Sequence, residues 1–173
     1  MLAPYSGRGW KLPDGVSSDQ LIASKYAFDF DPEVLRLHLL EDVDPTLAGG
    51  ARCGDLIVAG ANFANGSIHS HPFIAMKAMR LGMLCRSIPR GAYRLAVFFG
   101  VPLLTIDIET YDAISNGDAL EVDFRTGRID NRSTGRSFAV EPLPTFLMEI
   151  VEAGGGLEHA QATQLLVEAQ DAR

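Results

Sequence analysis

The stretch that decides the fold runs from Gly54 to Ala78 and begins Gly54-Asp55-Leu56-Ile57-Val58-Ala59-Gly60-Ala61-Asn62-Phe63-Ala64-Asn65-Gly66-Ser67-Ile68-His69-Ser70-His71-Pro72. Leu56, Ile57 and Val58 form a short apolar run, the pattern of a strand buried on both faces rather than of an edge. Gly60 and Gly66 let the backbone turn sharply after it, and a helix opens near Pro72, capped by Ser67 or Ser70. A loop at the carboxyl end of a buried strand that feeds a helix N-terminus gathers unpaired backbone N–H groups and the positive end of a helix dipole at one place. The polar loop from Ala61 to His71 is therefore where chemistry is expected, and an anionic ligand suits it.

Downstream, Gly82 ends that helix and Met83-Leu84-Cys85 reads as a second buried strand. Pro89 opens another helix through Val97-Phe98-Phe99, stopped by Gly100, and Leu103 to Ile108 is strand-like again. Strand, helix, strand, helix, strand implies right-handed crossovers and a sheet that is at least partly parallel. Past Asn116-Gly117-Asp118 the pattern changes: Leu120 to Phe124 alternates with period two, and turns at Arg125 to Arg128 and Ser133 to Arg136 lead to Phe138-Ala139-Val140, an antiparallel meander. Pro142 and Pro144 precede an amphipathic helix around Phe146 to Val151, closed by Gly154-Gly155-Gly156, and a polar helix follows from about Glu158 to Ala169.

Upstream, Arg8 to Leu12 forms a first strand ended by the turn formers Pro13-Asp14-Gly15. Ser17-Ser18-Asp19 either caps the run Leu21-Ile22-Ala23 or lines a pocket. Asp31-Pro32-Glu33 signals a helix start, with a helical run through Asp42 broken before Pro45 and His38 on a partly exposed face.

The 173 residues, 47% of them hydrophobic, suffice for one sizeable core and demand no second domain. A formal charge of -7 with the 15 Lys and Arg scattered argues against a nucleic-acid surface. Cys53 and Cys85 form no metal spacing and no disulfide framework, so a reducing compartment is the default. No apolar stretch is long enough for a membrane span, the N-terminus has no secretory pattern, and a cytoplasmic location is expected.

Asp55 to Phe63, Gly66-Ser67, His71, Ser87 to Tyr93, Gly100 to Leu104, Glu121-Val122-Asp123 and the run from Glu141-Pro142-Leu143-Pro144 through Glu152-Ala153-Gly154-Gly155 together resemble the small subunits of 3-isopropylmalate dehydratase, equivalent to the swivelling domain of aconitase. The resemblance extends from about Gly7 to Glu158, in order and without large gaps. It implies an α/β, swivelling beta/beta/alpha domain over residues 1–158, with residues 159–173 as a helical appendage. It also implies a hydro-lyase that interconverts 2- and 3-hydroxy dicarboxylates by dehydration and rehydration, in leucine biosynthesis or a related pathway. The partners so implied are an aconitase-like large subunit carrying a 4Fe-4S cluster and a small carboxylic-acid substrate, with no cofactor in this chain, whose two cysteines cannot supply a cluster set.

In the family the site loop reads Gly-Ser-Ser-Arg-Glu-His, and the matching positions here are Gly66, Ser67, Ile68, His69, Ser70 and His71. The resemblance makes Ser67 the base that takes a proton from the carbon next to a carboxylate, and puts His69 where an Arg grips that carboxylate with two hydrogen bonds. An imidazole offers one contact whose charge depends on pH. Asn65 stands for a Cys, and Ser17-Ser18-Asp19 for Asp-Thr-Asp, so Asp19 survives as the acid supporting the site; Leu95 replaces the Asn expected after Tyr93-Arg94. Asn65, Gly66, Ile68, His69, His71 and Asp19 are thus the expected substrate-binding residues, and Tyr26-Ala27-Phe28 lies where the family discriminates the substrate's side group. His69 and His71 could also pair on a metal, but no acidic or thiol third ligand stands nearby. Two alternatives accompany the isopropylmalate reading: a different alkylmalate or tricarboxylate substrate, and a catalytically lapsed paralogue that only binds its partner.

Overall fold

In the computed structural model, which describes residues 2–171 and side chains to residue 165, the apolar run becomes strand β2 (Leu56–Ala59), fully buried along its length. It lies inside a seven-stranded sheet of order β4-β3-β2-β1-β5-β6-β7. β1 (Tyr5–Leu12) pairs in parallel with β2, β2 with β3 (Gly82–Cys85), and β3 with β4 (Leu103–Thr105). The N-terminal half of β1 also pairs antiparallel with β5 (Ala119–Asp123), which continues through β6 (Arg128–Asn131) to β7 (Arg136–Ala139). The expected buried parallel sheet and antiparallel meander are both present, joined through β1, and the α/β class stands as expected.

Eight α-helices accompany the strands among the described residues: α1 (Ser18–Leu21), α2 (Pro32–Leu35), α3 (Pro45–Gly50), α4 (His71–Met79), α5 (Arg90–Phe98), α6 (Ile108–Asp112), α7 (Thr145–Glu152) and α8 (Gly156–Asp171), with a short 3-10 helix at Ser24–Tyr26. Four local expectations are corrected. The run predicted from Asp31 through Asp42 is a single α-turn, α2, followed by turns in which Leu40 takes a left-handed φ of 61° and drops fully buried into the core. Pro45 opens a helix instead of ending one, because Asp44 accepts the Thr46 N–H and Pro tolerates the first turn. α4 is closed by Arg80, left-handed at φ 52°, and not by Gly82. Gly82 is instead the first residue of β3, and a Cβ there would lie 2.6 Å from Phe124. The strand expected over Leu103 to Ile108 stops at Thr105, since Asp107 caps α6 by accepting the Thr110 N–H.

A buried carboxylate fixes the register of the two central strands. Asp55, 5% exposed, accepts the Arg8 N–H on one oxygen and, on the other, the Trp10 indole N–H at 2.9 Å and the Arg52 N–H at 3.0 Å. Both oxygens face donors, so an amide of the same shape must aim its NH2 at an N–H. Asp55→Asn is expected to destabilise the chain by about 1–3 kcal/mol, measured as a lowered urea midpoint at unchanged slope; an unchanged midpoint would mean that Asp55 does not set the register.

Candidate functional site

The β1–β2 pairing does not end with the strands. Beyond Leu12 and Ala59 the two connections run side by side: Gly15 N–H donates to the Ala61 carbonyl, Ala64 N–H to Val16 and Ser18 N–H to Asn65, each at 2.8 Å, with Ser17 and Asn65 in a parallel bridge. The other flank is held from the end of β3, where Ser87 accepts the Asn62 N–H on Oγ and the Phe63 N–H on its carbonyl. Between these anchors Asn62 and Ala64 adopt left-handed φ of 56° and 58°, Phe63 is buried, and Gly66 follows at φ 87°. Left-handed backbone costs an L-residue about 1–2 kcal/mol, which the flanking hydrogen bonds hold in place.

Ser67 and Ile68 emerge exposed from this turn. The Ser67 hydroxyl has no hydrogen-bond partner among the described residues, and Ile68 packs so closely on α5 that a Cβ on Gly91 would lie 2.7 Å from its Cδ1. Ser70 is already helical at φ -78°, ψ -22° and makes no side-chain cap, which closes the capping question left by the sequence. Its carbonyl takes the N–H groups of both Phe73 and Ile74, and Pro72 has none. The donors at the mouth of α4 are therefore the backbone amides from Gly66 to His71, which make no hydrogen bond among the described residues. Such a run of unpaired amides suits a carboxylate or an oxyanion.

His69 and His71 face each other, with Nδ1 to Nδ1 at 3.0 Å, and both Nε2 atoms are buried without a partner. Asp19, in the first turn of α1, brings Oδ1 to 3.9 Å from His69 Nε2. Burial, then the neighbouring His71, hold His69 below the ordinary imidazole range, against the opposing pull of the Asp19 carboxylate and the Ser18 carbonyl. Ser17 proves to be a cap: its Oγ accepts from Gln20 N–H, and Gln20 reaches back to the Ser17 N–H in a capping box that orients the Asp19 turn.

The remaining expected residues are distributed around this centre. Asn65 directs its amide at the Gly15 and Asn62 carbonyls, at 3.0 and 2.8 Å, and so braces the loop. Tyr26 is tethered at 3.1 Å to Glu41, which also binds Lys25 and His38, and its ring stacks on His38. These partners hold the Glu41 carboxyl well below its ordinary value, at about 2. Ala27 is exposed and Phe28 stands almost wholly in solvent, 98% exposed. Phe30, which no sequence pattern singles out, crosses from this segment to lie over His71, ring centroids 4.7 Å apart. No group of three or more His, Cys, Asp or Glu side chains suited to a metal occurs among the described residues. Cys53 is exposed, and burial pushes the Cys85 thiol up to about 12.

No protein-family model matches the chain. Its relatives are nonetheless plain: it is 38% identical over 157 residues to the 3-isopropylmalate dehydratase small subunit of Wolinella succinogenes, covering 90% of this chain and 93% of that one. It is 40% identical over 153 residues to 3-isopropylmalate dehydratase small subunit 1 of Methanopyrus kandleri, covering 88% and 89%. The crystal structure of 3-isopropylmalate dehydratase from Methanocaldococcus jannaschii superposes with a TM-score of 0.91 at 27% identity, over 97% of this chain and 99% of that one.

Gly66 has open space around its Cα and a left-handed φ, so a methyl group there meets strain without a clash. Gly66→Ala is expected to cost about 1–2 kcal/mol in a denaturant titration, and a change within a few tenths would show that the turn relaxes freely.

Proposed function

This chain belongs to the family of 3-isopropylmalate dehydratase small subunits, and from that premise we propose that it supplies the base and part of the carboxylate grip to a hydro-lyase completed by a large subunit. The observation that carries the proposal is Ser67: exposed, its hydroxyl uncommitted among the described residues, at the head of a run of amides unpaired among them. A serine hydroxyl is a poor base in water. It serves as one where its alkoxide is stabilised by aligned donors in a site from which water is excluded, and here the partner would have to do the excluding.

Ser67 takes the proton from the carbon next to a carboxylate, the C–O bond to the hydroxyl on the neighbouring carbon breaks, a double bond forms, and the hydroxide leaves as water with a proton from a general acid that the partner would supply. Water then returns: its hydroxyl adds to the carbon that lost the proton, its other proton goes back to that acid, and Ser67 delivers its proton to the carbon that lost the hydroxyl. The 4Fe-4S cluster expected on the aconitase-like large subunit would hold the substrate's hydroxyl and a carboxylate. The amides from Gly66 to His71 receive the charge on the alkoxide or on the second carboxylate, His69 when protonated adds a positive charge near that carboxylate, and Asp19 orients His69. Phe28, Phe30 and Ile68, exposed around the loop, suit an apolar side group on the substrate. A second reading keeps the chemistry and changes the substrate to another alkylmalate or a tricarboxylate. His69 favours it, since one imidazole cannot reproduce a bidentate guanidinium.

In the reconstituted two-subunit enzyme, Ser67→Ala is expected to lower turnover about a hundredfold or more with assembly unchanged, and undiminished turnover would remove Ser67 as the base. The small chain by itself should show neither dehydratase activity nor iron–sulfur absorbance; either one would overturn the division of labour.

A further inference from the structure

The two histidines of the loop are close enough to fix each other's protonation. At 3.0 Å between Nδ1 atoms one ring must donate and the other accept, so the contact holds one proton and is lost if both nitrogens carry one. Which ring donates follows from what faces the far nitrogens. His69 Nε2 has the Asp19 carboxylate at 3.9 Å, and the Ser18 carbonyl also favours protons on this ring. His71 Nε2 lies in a residue 5% exposed, beside the Phe30 ring, with no polar neighbour in hydrogen-bond range. An orphaned N–H in such a place is costlier than an orphaned lone pair. The Nε2 proton therefore belongs on His69 and the lone pair on His71.

We propose that Asp19, His69 and His71 form one polarised chain, with His71 Nδ1–H donating to His69 Nδ1 and His69 Nε2–H directed at Asp19. The chain accepts a single further proton, at His71 Nε2, and so presents a removable positive charge at His69. When that proton arrives, the shared proton moves from His71 Nδ1 to His69 Nδ1. His71 becomes the neutral Nε2–H tautomer and the charge settles on His69 beside the carboxylate. Among the described residues, the ionisable groups that act on His69 are His71 and Asp19, and on α2, which packs against α4, Glu33 is engaged with Arg36. Burial and the neighbouring ring hold His69 below its ordinary value, so the charge forms on the acid side of the usual imidazole range unless a bound anion draws it in. Resting on the catalytic reading above, this makes the carboxylate grip switchable where a guanidinium would be fixed, and the site favours a dianionic substrate more strongly as pH falls.

The proton positions are read by nitrogen-detected NMR of the histidine rings in the full chain near pH 8. Expected are an Nε2–H tautomer for His69, an Nδ1–H tautomer for His71, and uptake of one proton by the pair as pH falls. The reverse tautomers, or two independent uptakes, would overturn the chain of hydrogen bonds. In the assembled enzyme, KM for isopropylmalate is expected to fall by about tenfold per pH unit on descending toward the pair's titration, with kcat changing less. His69→Arg should make KM flat over the same range, and His71→Gln should make it flat at its high value. A wild-type KM without pH dependence would overturn the grip. The NMR reading requires no turnover, so failure of the proton chain is distinguishable from failure of the catalytic reading.

Discussion

Everything that is specific to this molecule's site depends on a backbone ladder outside the regular strands, the pairing of Gly15 to Ser18 with Ala61 to Asn65. A parallel sheet usually releases its chain at the carboxyl ends of the strands. Here the two released segments stay hydrogen-bonded for several residues more, and Ser87 secures the far side. That constraint lets Asn62 and Ala64 sit at positive φ, buries Phe63 between them, and turns the chain so that Ser67 leaves toward solvent while His69 and His71 fold back. Each left-handed residue is worth about 1–2 kcal/mol of strain, comparable with one or two hydrogen bonds, so the loop's shape needs the whole ladder.

The same ladder explains why the site is half a site. Ser67 and Ile68 are exposed, as are Phe28 and Phe30, and the amides from Gly66 to His71 make no hydrogen bond among the described residues. In open water such donors do little for an alkoxide, because solvent competes at high dielectric. Their strength comes when another surface excludes water from them, and the exposed rings and Ile68 are apolar material suited to closing against one.

Much of this was legible in the sequence, for reasons that differ by element. β2 and β3 were readable because strands buried on both faces are written as short apolar runs, and the meander because one-sided strands alternate. The segment from Asp31 to Pro45 misled because Leu35, Leu37, Leu39 and Leu40 fit a helical period, whereas the left-handed turn at Leu40 that buries its side chain is a tertiary choice. Gly82 looked like a helix stop, yet its reason is the Phe124 ring from the meander. The position of Ser67 at a strand-to-helix loop was local information. The Phe30 contact was not, since it depends on how two segments some forty residues apart in sequence lie against each other, and the direct ring-to-ring contact of His69 and His71, though close in sequence, is set by the turn of the loop backbone.

Asp19 shows how one exchange in a loop acquires meaning from its surroundings. Beside a guanidinium this carboxylate would be a partner to a charge that is always present. Beside an imidazole it helps decide whether the charge exists and on which ring it rests. Opposite unit charges 4 Å apart attract by about 1 kcal/mol at the dielectric of water and about 4 kcal/mol at the value typical of a protein surface. Asp19 is more than half exposed, so the lower figure applies in the open chain and the higher one once a partner covers it. Even the lower figure favours the charged form of His69 by about fivefold over the same ring without Asp19. On the proposed reading the carboxylate does more for the site closed than open, and the charge it holds on His69 strengthens as a partner covers it.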